Sequence, residues 1–207
     1  MWTLANQLTI SRILLTPVFV LLLLSHSSEL VQLSLLVYAV AAITDFYDGY
    51  LARVMRNESR FGKFLDPLAD KFLTLGAFVC FIYLDLIPLW MVLVVVGRDA
   101  IITLFRMYAE WRNRPFITMR VAKWKTFLQL VFIFYTLILL AAAHTQWINR
   151  DFGELIQALL SPTALKLVMF GLTLFTVVTG VMYFVDNRQL LHTLVTQRFR
   201  SSENSES

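Results

Sequence analysis

Ala41-Ala-Ile-Thr-Asp45-Phe-Tyr-Asp48-Gly49-Tyr-Leu-Ala52-Arg53 and Gly62-Lys-Phe-Leu-Asp66-Pro67-Leu-Ala-Asp70-Lys71 set four carboxylates at the abutting ends of two long apolar runs. A charge beside hydrocarbon costs a few kcal/mol or more unless it is paired or faces water, so these acids need a reason to be there. Helical spacing supplies a first one. At about 100° per residue, Asp45 and Asp48 lie about 60° apart on one face, with Gly49 and Arg53 on the same side. Asp66 and Asp70 are four residues apart on one face, with Gly62 one turn earlier. A short turn around Asn57–Arg60 would make the two helices antiparallel neighbours and let the acid faces meet.

The rest of the chain explains why the flanking runs are read as helices in a bilayer. Of 207 residues, 58% are hydrophobic and 15% charged, too little charge to cover a soluble surface. Six segments are apolar over about the 20 residues that a helix needs to cross a bilayer core. They fall near residues 8–25, 31–56, 62–85, 88–112, 121–144 and 163–185. The fold expected is therefore all-α, an integral membrane bundle of six transmembrane helices. Residues 1–200 are read as one membrane domain and 201–207 as a disordered polar tail.

The net charge of +4 is spread in short clusters and not in one basic run, which argues against nucleic acid and for anionic lipid. Arg53, Arg56, Arg60 and Lys63 follow the second span, and Arg112, Arg114, Arg120, Lys123 and Lys125 lie between the fourth and fifth. Arg188, Arg198 and Arg200 occupy the carboxyl tail, whereas the alternate connections hold almost no basic residue. Both termini and the acid cluster are thus expected on the cytoplasmic side. Cys80, the single cysteine, excludes an internal disulfide and reads as a buried thiol. His26, His144 and His192 read as interfacial residues, and Trp90, Trp111 and Trp124 as interfacial or lipid-packing aromatics.

Four converging carboxylates repel one another unless cations neutralise them, and hard oxygen donors suit Mg2+ or Mn2+, with enough ligands for two ions. Paired ions of that kind recur where phosphorus is the centre of displacement. The other functional reading of intramembrane acids is an ion path, as in a cation transporter. These acids cluster at one end of the bundle and leave no relay through its middle. Pro67 removes one helical donor, either bending the helix that carries Asp66 and Asp70 or sitting harmlessly in its first turn.

Asp45, Asp48, Gly49, Ala52, Arg53, Gly62, Asp66 and Asp70 fill the pattern D-x2-D-G-x2-A-R-x8-G-x3-D-x3-D without departure. In this the chain resembles the CDP-alcohol phosphatidyltransferases. The resemblance implies that Asp45, Asp48 and Asp66 bind metal, and that Asp70 is both metal neighbour and general base. It places Gly49 and Arg53 on the diphosphate and cytidine of a CDP-linked lipid, with Ala52 and Gly62 giving room. Asn6 and Thr9, in a segment similar to the family's amino-terminal part, are further CDP-lipid candidates.

Within the family the sequence looks most like the phosphatidylglycerophosphate synthases, on Arg60–Lys71, Gly97-Arg98-Asp99, Lys125-Thr126 and Gln129. Asp99 stands where Glu is expected, and Ala122 where glycine is usual. The substrates implied are CDP-diacylglycerol and glycerol 3-phosphate, and relatives are commonly homodimers. Arg98, Arg106, Lys123 and Lys125 are the candidates for holding the acceptor's phosphate. Phosphatidylglycerol, serine or an inositol phosphate are the alternative acceptors. The setting implied is a cell membrane, the inner membrane of a bacterium, with the site open to the cytoplasm.

Overall fold

In a computed structural model of the protein, residues 4–55, 60–111 and 120–188 are described, and for 4–9, 45–55, 60–70, 110, 120 and 122 the backbone alone. The described residues form seven helices: α1 Leu4–Leu23, α2 Ser28–Met55, α3 Arg60–Tyr83, α4 Leu89–Trp111, α5 Arg120–Ala143, α6 Gln146–Leu160 and α7 Pro162–Asp186. Six of them coincide, within a few residues, with the six apolar segments. The fold is all-α, with long apolar helices consistent with membrane association. Lys123–Ala143 and Pro162–Asp186 are each long and apolar enough to cross a bilayer, and Ile10–Leu23, Ser28–Thr44 and Lys71–Tyr83 are shorter apolar helices. Charge along α4, at Arg98, Asp99 and Arg106, keeps it out of the first group. The expected tail, 201–207, lies outside the described residues.

Helix α6 is the addition. It is not among the six apolar segments, because Arg150, Asp151 and Glu154 interrupt its apolar positions. Its hydrophobic residues recur instead at helical spacing, as an amphipathic helix requires. Ser161 separates it from α7 and begins the next helix: its Oγ accepts from the Ala164 amide at 3.3 Å, and Pro162 occupies the first turn. Pro67 is the eighth residue of α3, not a first-turn residue, so the carbonyl of Lys63 has no helical donor there.

The chain divides into two compact units, Met1–Leu89 with Leu130–Met169, and Trp90–Gln129 with Phe170–Ser207. In the first, α1 packs against both α2 and α3. Phe19 stacks at a tilt on Tyr38 with ring centroids 5.1 Å apart, and Tyr38 meets Phe134 edge-on at 5.3 Å. Phe81 and Phe132 make a second edge-on pair, and Cys80 beside them is fully buried. Gln32 of α2 donates to the Thr145 hydroxyl at 3.0 Å and to the His144 carbonyl at 3.3 Å, tying down the corner between α5 and α6. Trp90, Trp111 and Trp124 are all exposed, as aromatics facing lipid would be.

Glycine is needed where α1 meets α3. A methyl on Gly76 would stand 2.9 Å from Cγ2 of Thr16, which cannot turn away freely because its Oγ1 donates to the Arg12 carbonyl at 2.9 Å. Overpacking of this kind costs about 1–3 kcal/mol, against roughly 1 kcal/mol gained in helix propensity. Gly76→Ala is therefore expected to lower the thermal midpoint in detergent. Gly171→Ala, whose methyl would meet nothing within 4 Å, should leave the midpoint unchanged or raise it.

Candidate functional site

The acid motif lies on two helices of one unit. Asp45, Asp48, Gly49, Ala52 and Arg53 are in α2, and Gly62, Asp66 and Asp70 are in α3, so the i,i+3 and i,i+4 spacings act on helical backbone. Asn6 and Thr9 are in α1, which packs on both of those helices. The side chains of these ten residues, and residues 57–59 of the expected turn, lie outside the described residues. Among the described residues no group of three or more His, Cys, Asp or Glu gathers to hold a metal. The donor set itself fits a hard divalent cation: four carboxylates on two touching helices, with no soft ligand among them.

The second cluster is in the other unit and is described in full. Lys125 of α5 is completely buried, and its ammonium donates to Oδ2 of Asp99 at 2.6 Å and to Oε1 of Gln129 one turn along. Asp99 of α4 is 7% exposed and accepts at its other oxygen, Oδ1, from Nη1 of Arg98 at 3.2 Å. One carboxylate is therefore shared by two cations. Arg98 continues onto α7, where Nη2 donates to the Thr179 hydroxyl at 3.2 Å and the guanidinium carbon lies 5.6 Å from the centre of the Tyr183 ring. Its Nε, although buried, has no hydrogen-bond acceptor among the described residues.

α7 prepares this contact. Thr173, Thr176, Thr179 and Tyr183, and Asn187 just past the helix end, are all buried and follow one another at three- or four-residue intervals, a polar stripe on a largely apolar helix. Two of the threonines satisfy themselves against their own backbone: Thr176 donates to the Leu172 carbonyl at 2.7 Å and Thr179 to that of Phe175 at 2.9 Å. The lone pairs of Thr179 remain open to Arg98. Gly180 allows the approach, since a methyl there would lie 3.2 Å from Cγ of Arg98.

The four basic residues expected at an acceptor phosphate thus differ in kind. Arg98 is mostly buried and has a donor to spare. Lys125 is buried and engaged with Asp99 and Gln129, whereas Arg106 and Lys123 are exposed. Thr179 and Tyr183 carry no signal in the one-dimensional sequence beyond their helical stripe. The Asp99–Lys125 pairing spans 26 residues and is likewise a tertiary fact.

Removing one member of a buried ion pair strands the other, at about 3–5 kcal/mol. Asp99→Ala, which strands two cations, is expected to cost more thermal stability than Thr179→Val, which removes the hydroxyl's bonds to Arg98 and to its own helix, each worth about 1 kcal/mol. Parallel melts of the two variants with the parent check this. Asp99→Glu should recover part of the loss because it retains the charge.

The sequence profile of the CDP-alcohol phosphatidyltransferase family matches residues 2–195. The chain is 31% identical to a CDP-diacylglycerol–glycerol-3-phosphate 3-phosphatidyltransferase of Bacillus subtilis, over 93% of its own length and 99% of the relative's. It is 33% identical to a protein of the same name from Cereibacter sphaeroides, over 72% and 70%. The human cardiolipin synthase (CMP-forming) is 36% identical, over 55% of this chain and 37% of that protein.

Proposed function

The chain belongs to the CDP-alcohol phosphatidyltransferase family and is an enzyme of that class, and on that footing we propose that it transfers the phosphatidyl group of CDP-diacylglycerol to glycerol 3-phosphate. The products are phosphatidylglycerophosphate and CMP. The acceptor's hydroxyl oxygen bonds to the lipid-side phosphorus, the bond from that phosphorus to the CMP oxygen breaks, and the hydroxyl proton passes to Asp70. Asp45, Asp48, Asp66 and Asp70 would hold two Mg2+ or Mn2+ ions, whose charge offsets that of the diphosphate. Gly49 and Arg53 contact the CDP moiety, Ala52 and Gly62 leave space for it, and Asn6 and Thr9 line the nucleotide.

Arg98 is the observation that carries the choice of acceptor. A guanidinium set in the middle of an apolar helix, with a buried Nε–H unsatisfied, is suited to a phosphate, which accepts from adjacent N–H groups as a fork. Lys125 serves that contact from behind: by holding Oδ2 of Asp99 it fixes the carboxylate whose Oδ1 orients Arg98. Arg106 and Lys123, both exposed, add positive charge that draws the anionic acceptor from water. The protein acts as a multi-pass protein of a bacterial inner membrane, with the site open to the cytoplasm, and as a homodimer. The names of the Bacillus and Cereibacter relatives support glycerol 3-phosphate over phosphatidylglycerol.

Purified protein given CDP-diacylglycerol and a panel of acceptors is expected to release CMP with glycerol 3-phosphate, and only with a divalent metal. Release with phosphatidylglycerol, serine or an inositol phosphate instead would move the acceptor assignment, while metal flux into liposomes without CMP release would sink the enzymatic reading. Asp70→Asn should abolish turnover. Arg98→Lys should raise KM for glycerol 3-phosphate at least tenfold, the equivalent of about 1.4 kcal/mol, and leave KM for CDP-diacylglycerol unchanged.

A further inference from the structure

α6 has an apolar face that the protein does not cover. Ile148, Phe152, Leu155, Ile156 and Leu159 share one side at i, i+4, i+7, i+8 and i+11, and Ile156 alone of the helix is buried. Phe152 and Leu155 are each 57% exposed, and Leu159 is exposed beside them. Arg150, Glu154 and Gln157 share the opposite side, also exposed. A soluble helix arranged in this way would have its hydrophobic side turned inward.

Its position in the chain fixes what can lie against that face. His144 and Thr145 alone separate α6 from α5, and Ser161 alone separates it from α7. Both neighbours contain stretches long and apolar enough to cross a bilayer. Their adjoining ends therefore stand at the boundary between hydrocarbon and water, and α6 is held at the same level. Gln32 of α2 clamps the α5–α6 corner in place. The 15 residues of α6 extend about 22 Å, short of the roughly 30 Å core, and Arg150, Asp151 and Glu154 would be costly inside it.

We infer that α6 lies flat in the membrane interface, with Phe152, Leu155 and Leu159 sunk among the lipid acyl chains and Arg150, Glu154 and Gln157 toward water. The occupant of the exposed face is phospholipid, and the exposed apolar residues of α7 at Leu167 and Val168 carry the same lipid-facing surface onward. Trp147, 70% exposed at the start of the helix, is of the type that sits at headgroup level. Attachment is apolar and not electrostatic: one Arg against one Asp and one Glu gives α6 no positive charge to offer anionic lipid. The inference rests on α5 and α7 crossing the bilayer, and not on the choice of acceptor.

Single cysteines carrying an environment-sensitive fluorophore test it, in the full chain reconstituted into phosphatidylcholine vesicles, with the buried Cys80 replaced by Ala. Labels at Phe152→Cys, Leu155→Cys and Leu159→Cys should emit to the blue of those at Arg150→Cys, Glu154→Cys and Gln157→Cys. Lipids brominated near the headgroup end of the chain should quench the first set several-fold more, and aqueous iodide the second. Adding anionic lipid should change neither pattern. Equal iodide access on the two faces would overturn the inference, as would an apolar face shielded from both quenchers, which would mean that a second copy of the chain covers it. A label at Ile138→Cys, exposed on α5, reports separately on the premise: without quenching by bromine at the chain ends, α5 does not span, and the placement of α6 falls with it.

Discussion

Backbone hydrogen bonding is the constraint from which the rest of this fold follows. Among hydrocarbon no water completes an exposed N–H or C=O, so each segment must satisfy its own. Every described element here is a helix, and the connections described are as short as one or two residues. Where the rule is broken, the break is local and marked: Pro67 cannot give α3 its donor, and the carbonyl of Lys63 is left to other partners. Side-chain hydroxyls obey the same rule, and Thr176 and Thr179 of α7 return their protons to their own helix.

Charge is the second consequence. A chain with so few charged residues does not place them idly in apolar helices, and its two polar clusters handle the cost differently. The Asp99–Lys125 pair is satisfied internally, with both carboxylate oxygens and the ammonium engaged. Arg98 is satisfied only in part, with its Nη atoms committed and its Nε left over. A fully paired cluster holds structure, and one with a donor to spare can also bind. That difference separates Lys125 from Arg98 although both are basic and neither is exposed.

How much of this the sequence shows depends on the range of the interaction. The six long helices are legible within a few residues because each depends on its own composition. The acid motif is legible because its spacings fall within single helices, and its match to a family pattern extends from one helix to the next. α6 is not legible to a search for spans, since its signal is a period and not a mean; Ile148, Phe152, Leu155, Ile156 and Leu159 would have shown it. The pairing of Asp99 with Lys125 and the docking of Arg98 on Thr179 join residues 26 and 81 apart, where no local pattern reaches. Arg98 itself could be singled out from the sequence by its cost; its partners could not.

The same distinction explains why Asp99 can stand where the family resemblance leads one to expect Glu. A carboxylate shared between two cations must reach both, and its reach is set by side-chain length. Asp99 accomplishes this with one oxygen at 2.6 Å from the Lys125 ammonium and the other at 3.2 Å from Arg98. The longer, looser contact is the one to Arg98, adjacent to it on the same helix, where neighbouring side chains diverge. A methylene more would lengthen the carboxylate's reach and shift the balance between its two partners. The shorter residue keeps Lys125 tightly held and Arg98 lightly held, and a lightly held guanidinium would have less to give up in the phosphate contact proposed for it.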